Sequence, residues 1–165
     1  VTWVEADART LQLGRRFDLV VLTGHAFQCF LTNDDQRALC RAIAAHLAPG
    51  GTFIFDSRNP EREEWREWVP ETSRRSFDLP PHGRIEAWND VSHDPATGIV
   101  TYDTVYRNGT YRIRKASSRI RFASKNDIAT RLAEAGLSAD TWLGNWQGDP
   151  WTPASPEIIP VGRGS

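Results

Sequence analysis

The residues able to do chemistry gather where apolar runs end. Asp7 and Ala8 follow an apolar stub at residues 1–5. Thr23, Gly24, His25 and Gln28 follow the run Phe17-Asp18-Leu19-Val20-Val21-Leu22, and Asp56, Ser57 and Arg58 follow Thr52-Phe53-Ile54-Phe55. A carboxylate such as Asp7, beside an exposed backbone N–H, can accept from an adenine amino group while the N–H donates to a ring nitrogen. Gly24 has no Cβ and lets a ligand approach the main chain. An imidazole such as His25 can take or give a proton near neutral pH. Each position also has a plain structural reading. Asp7 can cap a turn, His25 can be an ordinary polar residue at a strand end, and Asn59 can cap a turn ahead of Pro60.

Several other chemistries lack their residues. No Ser lies in a G-x-S-x-G turn, and neither H-E-x-x-H nor a C-x-x-C pair offers a metal site. The four histidines, His25, His46, His82 and His93, stand singly on different segments. Gly162-Arg163-Gly164 is followed by no helix, so it forms no phosphate-cradling loop. No metal is expected.

The elements that must position these residues alternate in type. Phe17–Leu22 has strand length without alternation, as a strand covered on both faces has. Residues 1–5 read as the end of an earlier strand. A helix follows Thr32 or Asn33 as cap, with Asp34 and Asp35 at its positive end. Leu39, Ile43 and Leu47 recur at i, i+4 and i+8 on one face, and Ala48-Pro49-Gly50-Gly51 stops the helix. Residues 52–56 form the next strand, parallel to the first through a right-handed crossover.

The middle of the chain changes character. Asn59-Pro60 opens a short helix carrying Trp65 and Trp68, and Pro70, Pro80 and Pro81 interrupt regularity. Alternating stretches at residues 85–92, 99–107 and 111–122 follow, the last two joined by the hairpin signal Asn108-Gly109. Trp88 and Tyr111 there can line an apolar pocket or simply pack. Beyond the meander, Ser124-Lys125-Asn126-Asp127 is a capping box ahead of a helix with Ile128, Leu132 and Ala135 on its buried face and Gly136 after it. Residues 137–143 and 157–161 are two strands, antiparallel across a Gly-, Trp- and Pro-rich loop.

Composition agrees with one globular unit. Of 165 residues, 39% are hydrophobic and 25% charged, with a formal net charge of −1. These values exclude a disordered chain and a basic nucleic-acid binder. No apolar run approaches the ~20 residues of a membrane span, and no signal peptide opens the chain. Cys29 and Cys40 are too few for a disulfide framework and point to reduced thiols in a cytoplasm. The chain contains no Met and begins at Val1.

The ordered set resembles a known family. Arg16 to Leu22, a helix, and then Leu47-Ala48-Pro49-Gly50-Gly51-Thr52-Phe53-Ile54-Phe55-Asp56 resemble strands four and five of class I S-adenosylmethionine-dependent methyltransferases. Glu5-Ala6-Asp7-Ala8-Arg9 looks like that family's adenine-contacting turn. The tail from Leu143 through Ile159 is similar to the final hairpin of its small-molecule members, including the amino-sugar N-methyltransferase type. The implied fold class is α/β: the C-terminal part of a Rossmann-like methyltransferase sheet, residues 1–59 and 123–165. An antiparallel β-meander that caps the substrate, residues 60–122, is inserted into it. The family's glycine-rich loop and ribose-binding acid lie upstream of Asp7. The resemblance therefore implies that Val1 is not the natural start, and that this chain alone binds cofactor weakly.

The resemblance further implies roles. S-adenosylmethionine is the expected cofactor, contacted by Asp7, Ala8, Thr23, Gly24 and His25. A small-molecule N or O acceptor is expected beside Gln28, Phe30, Arg58 and Trp146, with His25 as the candidate catalytic base. No nucleic acid or membrane partner is expected, and a homodimer is left open. The rival expectation is a non-catalytic binding module on a degenerate methyltransferase scaffold.

Overall fold

The computed structural model describes residues 1–109 and 112–164, the side chains of Arg112 and Ile113 excepted. Its elements in chain order are β1 (Phe17–Leu22), α1 (Asn33–His46), β2 (Leu47–Phe55), β3 (Ser57–Arg58), α2 (Pro70–Ser73), β4 (Arg75–Leu79) and β5 (Gly83–Asp94). Then come β6 (Ile99–Asn108), β7 (Arg112–Arg121), α3 (Lys125–Glu134), β8 (Leu137–Leu143) and β9 (Glu157–Gly164). The chain divides into two compact units, Val1–Arg62 with Phe122–Ser165, and Glu63–Arg121.

In the first unit β1 and β2 run parallel, and β9 lies antiparallel to β2. β9 also pairs antiparallel with β8 and with the short β3. Alternation along β2 sends Phe53 and Phe55 to one face, where Phe55 stacks on Phe27 at 4.8 Å. Leu39 and Ile43 of α1 and Ile128 and Leu132 of α3 complete this core. Each such side chain, fully buried, contributes roughly 1.5–3 kcal/mol. The two helices are joined at the surface by Arg37, whose Nε donates to Glu134 at 2.8 Å.

Both helix starts follow from local chemistry. Thr32 Oγ1 accepts the Asp35 N–H at 3.0 Å, a cap worth about 1 kcal/mol. Ser124 accepts from the Asp127 N–H while Asp127 accepts from the Ser124 N–H, closing the expected capping box. Gly136 follows α3 at φ 72, the left-handed geometry that ends helices.

Four expectations are corrected. Residues 1–5 form no strand; the chain there is irregular up to a turn at residues 8–10. β1 is not covered on both faces: Leu19 stays 56% and Val21 46% exposed, and among the described residues only β2 pairs along its edge. Ala48-Pro49-Gly50-Gly51 lies inside β2 as a bulge, between the pairs Phe17↔Leu47 and Leu19↔Thr52. Gly50 turns at φ 76 there, and the helix has already stopped one residue earlier than expected, at His46, with Leu47 extended. The segment after Asn59 winds as 3₁₀ turns at Pro60–Arg62 and Glu64–Glu67 rather than as a helix.

The second unit is a four-stranded antiparallel sheet in the order β4-β5-β6-β7. β4 was not expected, since every residue of Arg75–Leu79 is exposed and carries no burial signal. Asn108 pairs with Arg112, so Asn108 belongs to the β6–β7 ladder rather than to the turn expected at Asn108-Gly109. Thr110 and Tyr111 lie outside the described residues. Trp65 packs at a tilt of 34° against His93, their rings 4.4 Å apart, and Arg74 sits over Trp88 at 4.8 Å. No helix among the described residues is long and apolar enough to cross a membrane.

Candidate active site

Parallel strands β1 and β2 end on the same edge of their sheet, and an antiparallel strand beside them starts there. The carboxyl ends of β1 and β2 therefore meet the amino end of β9. This brings His25, Asp56 and Glu157 together from positions far apart in sequence.

Asp56 is 4% exposed and organises the cluster. Its Oδ1 accepts the His25 backbone N–H at 2.8 Å, and its Oδ2 accepts Trp146 Nε1–H at 3.2 Å. His25 itself is left-handed, at φ 59 and ψ 30, directly after Gly24 at φ 69. That conformation costs an L-residue with a Cβ roughly 1–2 kcal/mol, which the bond to Asp56 offsets. The reversal aims the His25 ring at β9, where Nε2 lies 2.9 and 3.1 Å from the two oxygens of Glu157.

A second link closes the cluster. Glu157 faces Arg58 in the β3–β9 ladder, and Arg58 Nη1 donates to Gln28 Oε1 at 3.1 Å. The Gln28 N–H in turn donates to the His25 carbonyl at 2.9 Å. Next to Arg58, the buried Asn59 donates to the carbonyls of Pro153 and Ser155, both at 2.9 Å, and fixes the loop leading into β9. Asn59 Oδ1 accepts the Glu61 N–H at 3.2 Å, which is the capping role expected of it.

Of the residues singled out by sequence, His25, Gln28, Arg58 and Trp146 thus belong to one hydrogen-bonded group, with Thr23 and Gly24 leading into it. Phe30 lies elsewhere: its ring packs at the margin of the core, and its carbonyl accepts Gln36 Nε2–H at 3.0 Å. Asp7 carries its own turn. Its Oδ1 accepts the Arg9 N–H at 2.9 Å, its Oδ2 accepts Arg9 Nη2–H at 2.6 Å, and its carbonyl accepts the Thr10 N–H. The Arg9 guanidinium holds the Asp7 carboxyl down at about 2. It also reaches Asp35 at 2.7 Å and lowers that carboxyl. Ala8 lines an apolar cleft of about 340 Å³ with Leu22, Leu39 and Ile43.

Glu157 escaped the sequence reading, and Asp56 received no role in it. The available signal was topological. Once the two last strands are read as antiparallel, the first residue of β9 must sit at the edge where β1 and β2 end. Among the remaining histidines, His46 is structural: its Nδ1 donates to the Ala42 carbonyl at 2.7 Å, and its Nε2 accepts the Leu13 N–H at 3.0 Å.

Known proteins share this arrangement of elements. No protein-family model matches the chain. It is 25% identical over 158 residues to the cypemycin N-terminal methyltransferase of a Streptomyces species, covering 96% of this chain and 62% of that protein. Among solved structures it is similar to the CcbJ methyltransferase of Streptomyces caelestis, with TM-score 0.79 and 21% identity over 98% of this chain and 63% of that one. It is also similar to an S-adenosylmethionine-dependent methyltransferase of Clostridium acetobutylicum, with TM-score 0.70 and 18% identity over 96% of this chain and 62% of that one. The fold is that of the Rossmann-like methyltransferases, of which the chain spans a little under two thirds of the length of the relatives it matches.

Proposed function

We propose that this chain serves S-adenosylmethionine-dependent methyl transfer to the amine of a small molecule or peptide. The observation that carries the reading is the cluster of His25, Asp56, Glu157 and Trp146 at the carboxyl edge of the parallel strands, in a methyltransferase fold. That edge is where open α/β sheets bind ligands. The similar cypemycin enzyme, by its name, acts on an N-terminus, and the two carboxylates and indole suit an acceptor that arrives as an ammonium ion.

The residues present fit the cofactor. At Gly24 no atom lies within 4 Å of where a Cβ would stand, so the main chain is open to a bound molecule. Thr23, Gly24 and His25 would hold its amino-acid and ribose side. Ala8, beside Leu22 on the apolar cleft, would face its adenine together with the turn that Asp7 caps. When bound, the cofactor supplies an electrophilic methyl group. The protein's own task is to hold the acceptor nitrogen in line, keep water out and take a proton from it. Of the site residues, His25 is the base, while Trp146, Gln28 and Arg58 shape the acceptor side. Calorimetric titration of the protein with S-adenosylmethionine and with its demethylated product tests the reading. Weak but saturable binding of both is expected, and a folded protein that takes up neither would overturn it.

A further inference from the structure

We propose that Glu157 is a positioning residue that sets the tautomer of His25 and thereby makes Nδ1 the atom that receives the acceptor's proton. The inference rests on the methyltransferase reading of the site and assigns a role within it.

The chemistry of the pair is one-sided. An ionised carboxylate only accepts hydrogen bonds, and both Glu157 oxygens lie within 3.1 Å of His25 Nε2. A neutral ring in that position therefore carries its proton on Nε2. Its lone pair is then on Nδ1, which no described residue engages. The side chain keeps 22% of its surface exposed, so the ring is held without being sealed. Asp56 cannot set the tautomer: its Oδ2 is 3.9 Å from Nε2, and its oxygens are bonded to the His25 backbone and to Trp146.

The charged groups around the ring divide the work. Asp56, from the end of β2, fixes the backbone reversal. Glu157, from the start of β9, fixes the ring. Arg58, from β3, lies opposite Glu157 in the ladder and donates to Gln28, whose N–H meets the His25 carbonyl. In the step assigned to Nδ1, an N–H bond of the acceptor ammonium breaks. Its electron pair stays on nitrogen as the lone pair that attacks, and the proton ends on Nδ1. A ring with the other tautomer would present an N–H to the acceptor and could not take that proton. The same logic makes a carboxylate partner valuable to histidine bases elsewhere.

The test needs neither cofactor nor acceptor. The protein labelled with ¹⁵N-histidine is examined by NMR at a pH where the rings are neutral, with His25 assigned from the spectrum of His25→Asn. Wild type is expected to show His25 as the Nε2–H tautomer alone. Glu157→Gln, whose amide can donate as well as accept, and Glu157→Ala are expected to populate the Nδ1–H form. The backbone ladder of Arg58 and Glu157 does not use the side chain, so both variants keep the strand pair. With an amine acceptor, kcat of Glu157→Gln is expected to fall roughly 10–100-fold while the acceptor KM stays within about twofold. An Nδ1–H tautomer in wild type, or a tautomer unchanged in both variants, overturns the pairing itself. A tautomer that switches as expected in a protein that methylates no amine would instead overturn the base assignment together with the methyltransferase reading.

Discussion

His25 holds a backbone conformation that disfavours a side chain, and it does so because Asp56 accepts its N–H and Glu157 accepts its ring. Strain of this kind persists only where the surroundings over-determine it. Asparagine tolerates the left-handed region but is no base. His25→Asn is therefore expected to unfold within a few degrees of wild type in a thermal melt, and to lose roughly 10²-fold or more in kcat. Retention of full turnover would remove His25 from the chemistry. At this scale the sequence was legible where a residue acts through its neighbours in the chain: Asp7 capping its own turn, Thr32 at the start of α1, Ser124 with Asp127. Glu157 was not, because it gains its meaning from His25, 132 positions away, and no local pattern marks a carboxylate that begins a strand.

Among the elements, helices α1 and α3 and strands β2, β8 and β9 were legible because periodicity and caps agree with their burial, and β1 was legible from its apolar run although Leu19 and Val21 stay exposed. β4 was illegible for the opposite reason: its residues face solvent, and only the β5 ladder makes it a strand. Close approach of backbones also leaves little trace in sequence. At Gly162, a Cβ would meet the Ser138 carbonyl and lie 2.7 Å from Ala139 Cα, beside the irregularity where β8 shifts register between Ala139 and Thr141. Gly162→Ala is expected to destabilise the protein by about 1–3 kcal/mol, read as a lower denaturant midpoint at unchanged slope. The segment ahead of β1 depends on charge instead, through Arg9 bridging Asp7 and Asp35. A carboxyl whose pKa is depressed on folding stabilises above its unfolded value and loses that contribution as pH falls through the folded one. The clasp is thus intact at neutral pH and opens as pH falls from 3.8 toward about 2. Proteolysis or amide exchange at residues 7–13 should rise in that window, and Arg9→Ala should show the same exposure already at pH 7. Protection that is flat across the window would mean the clasp does not hold the segment.

For the molecule as a whole, the sheet places parallel strand ends and the start of an antiparallel strand on one edge, and that edge collects the site. The order of elements, more than any motif, carried the likeness to methyltransferases, and relatives at 18–25% identity share it over nearly all of this chain. The acceptor was beyond reach from sequence because the groups that would meet it come from three strand ends and a loop. The central claim is that this edge moves a methyl group onto an amine. It is tested most directly by incubating the protein with methyl-labelled S-adenosylmethionine and a set of amines, amino sugars and peptides with free N-termini, and measuring label on the acceptor nitrogen. Label on an amine with wild type, reduced at least about tenfold in His25→Asn while the cofactor still binds, is the result predicted here. A folded, cofactor-binding protein that labels no amine, or that labels one equally well without His25, would contradict it.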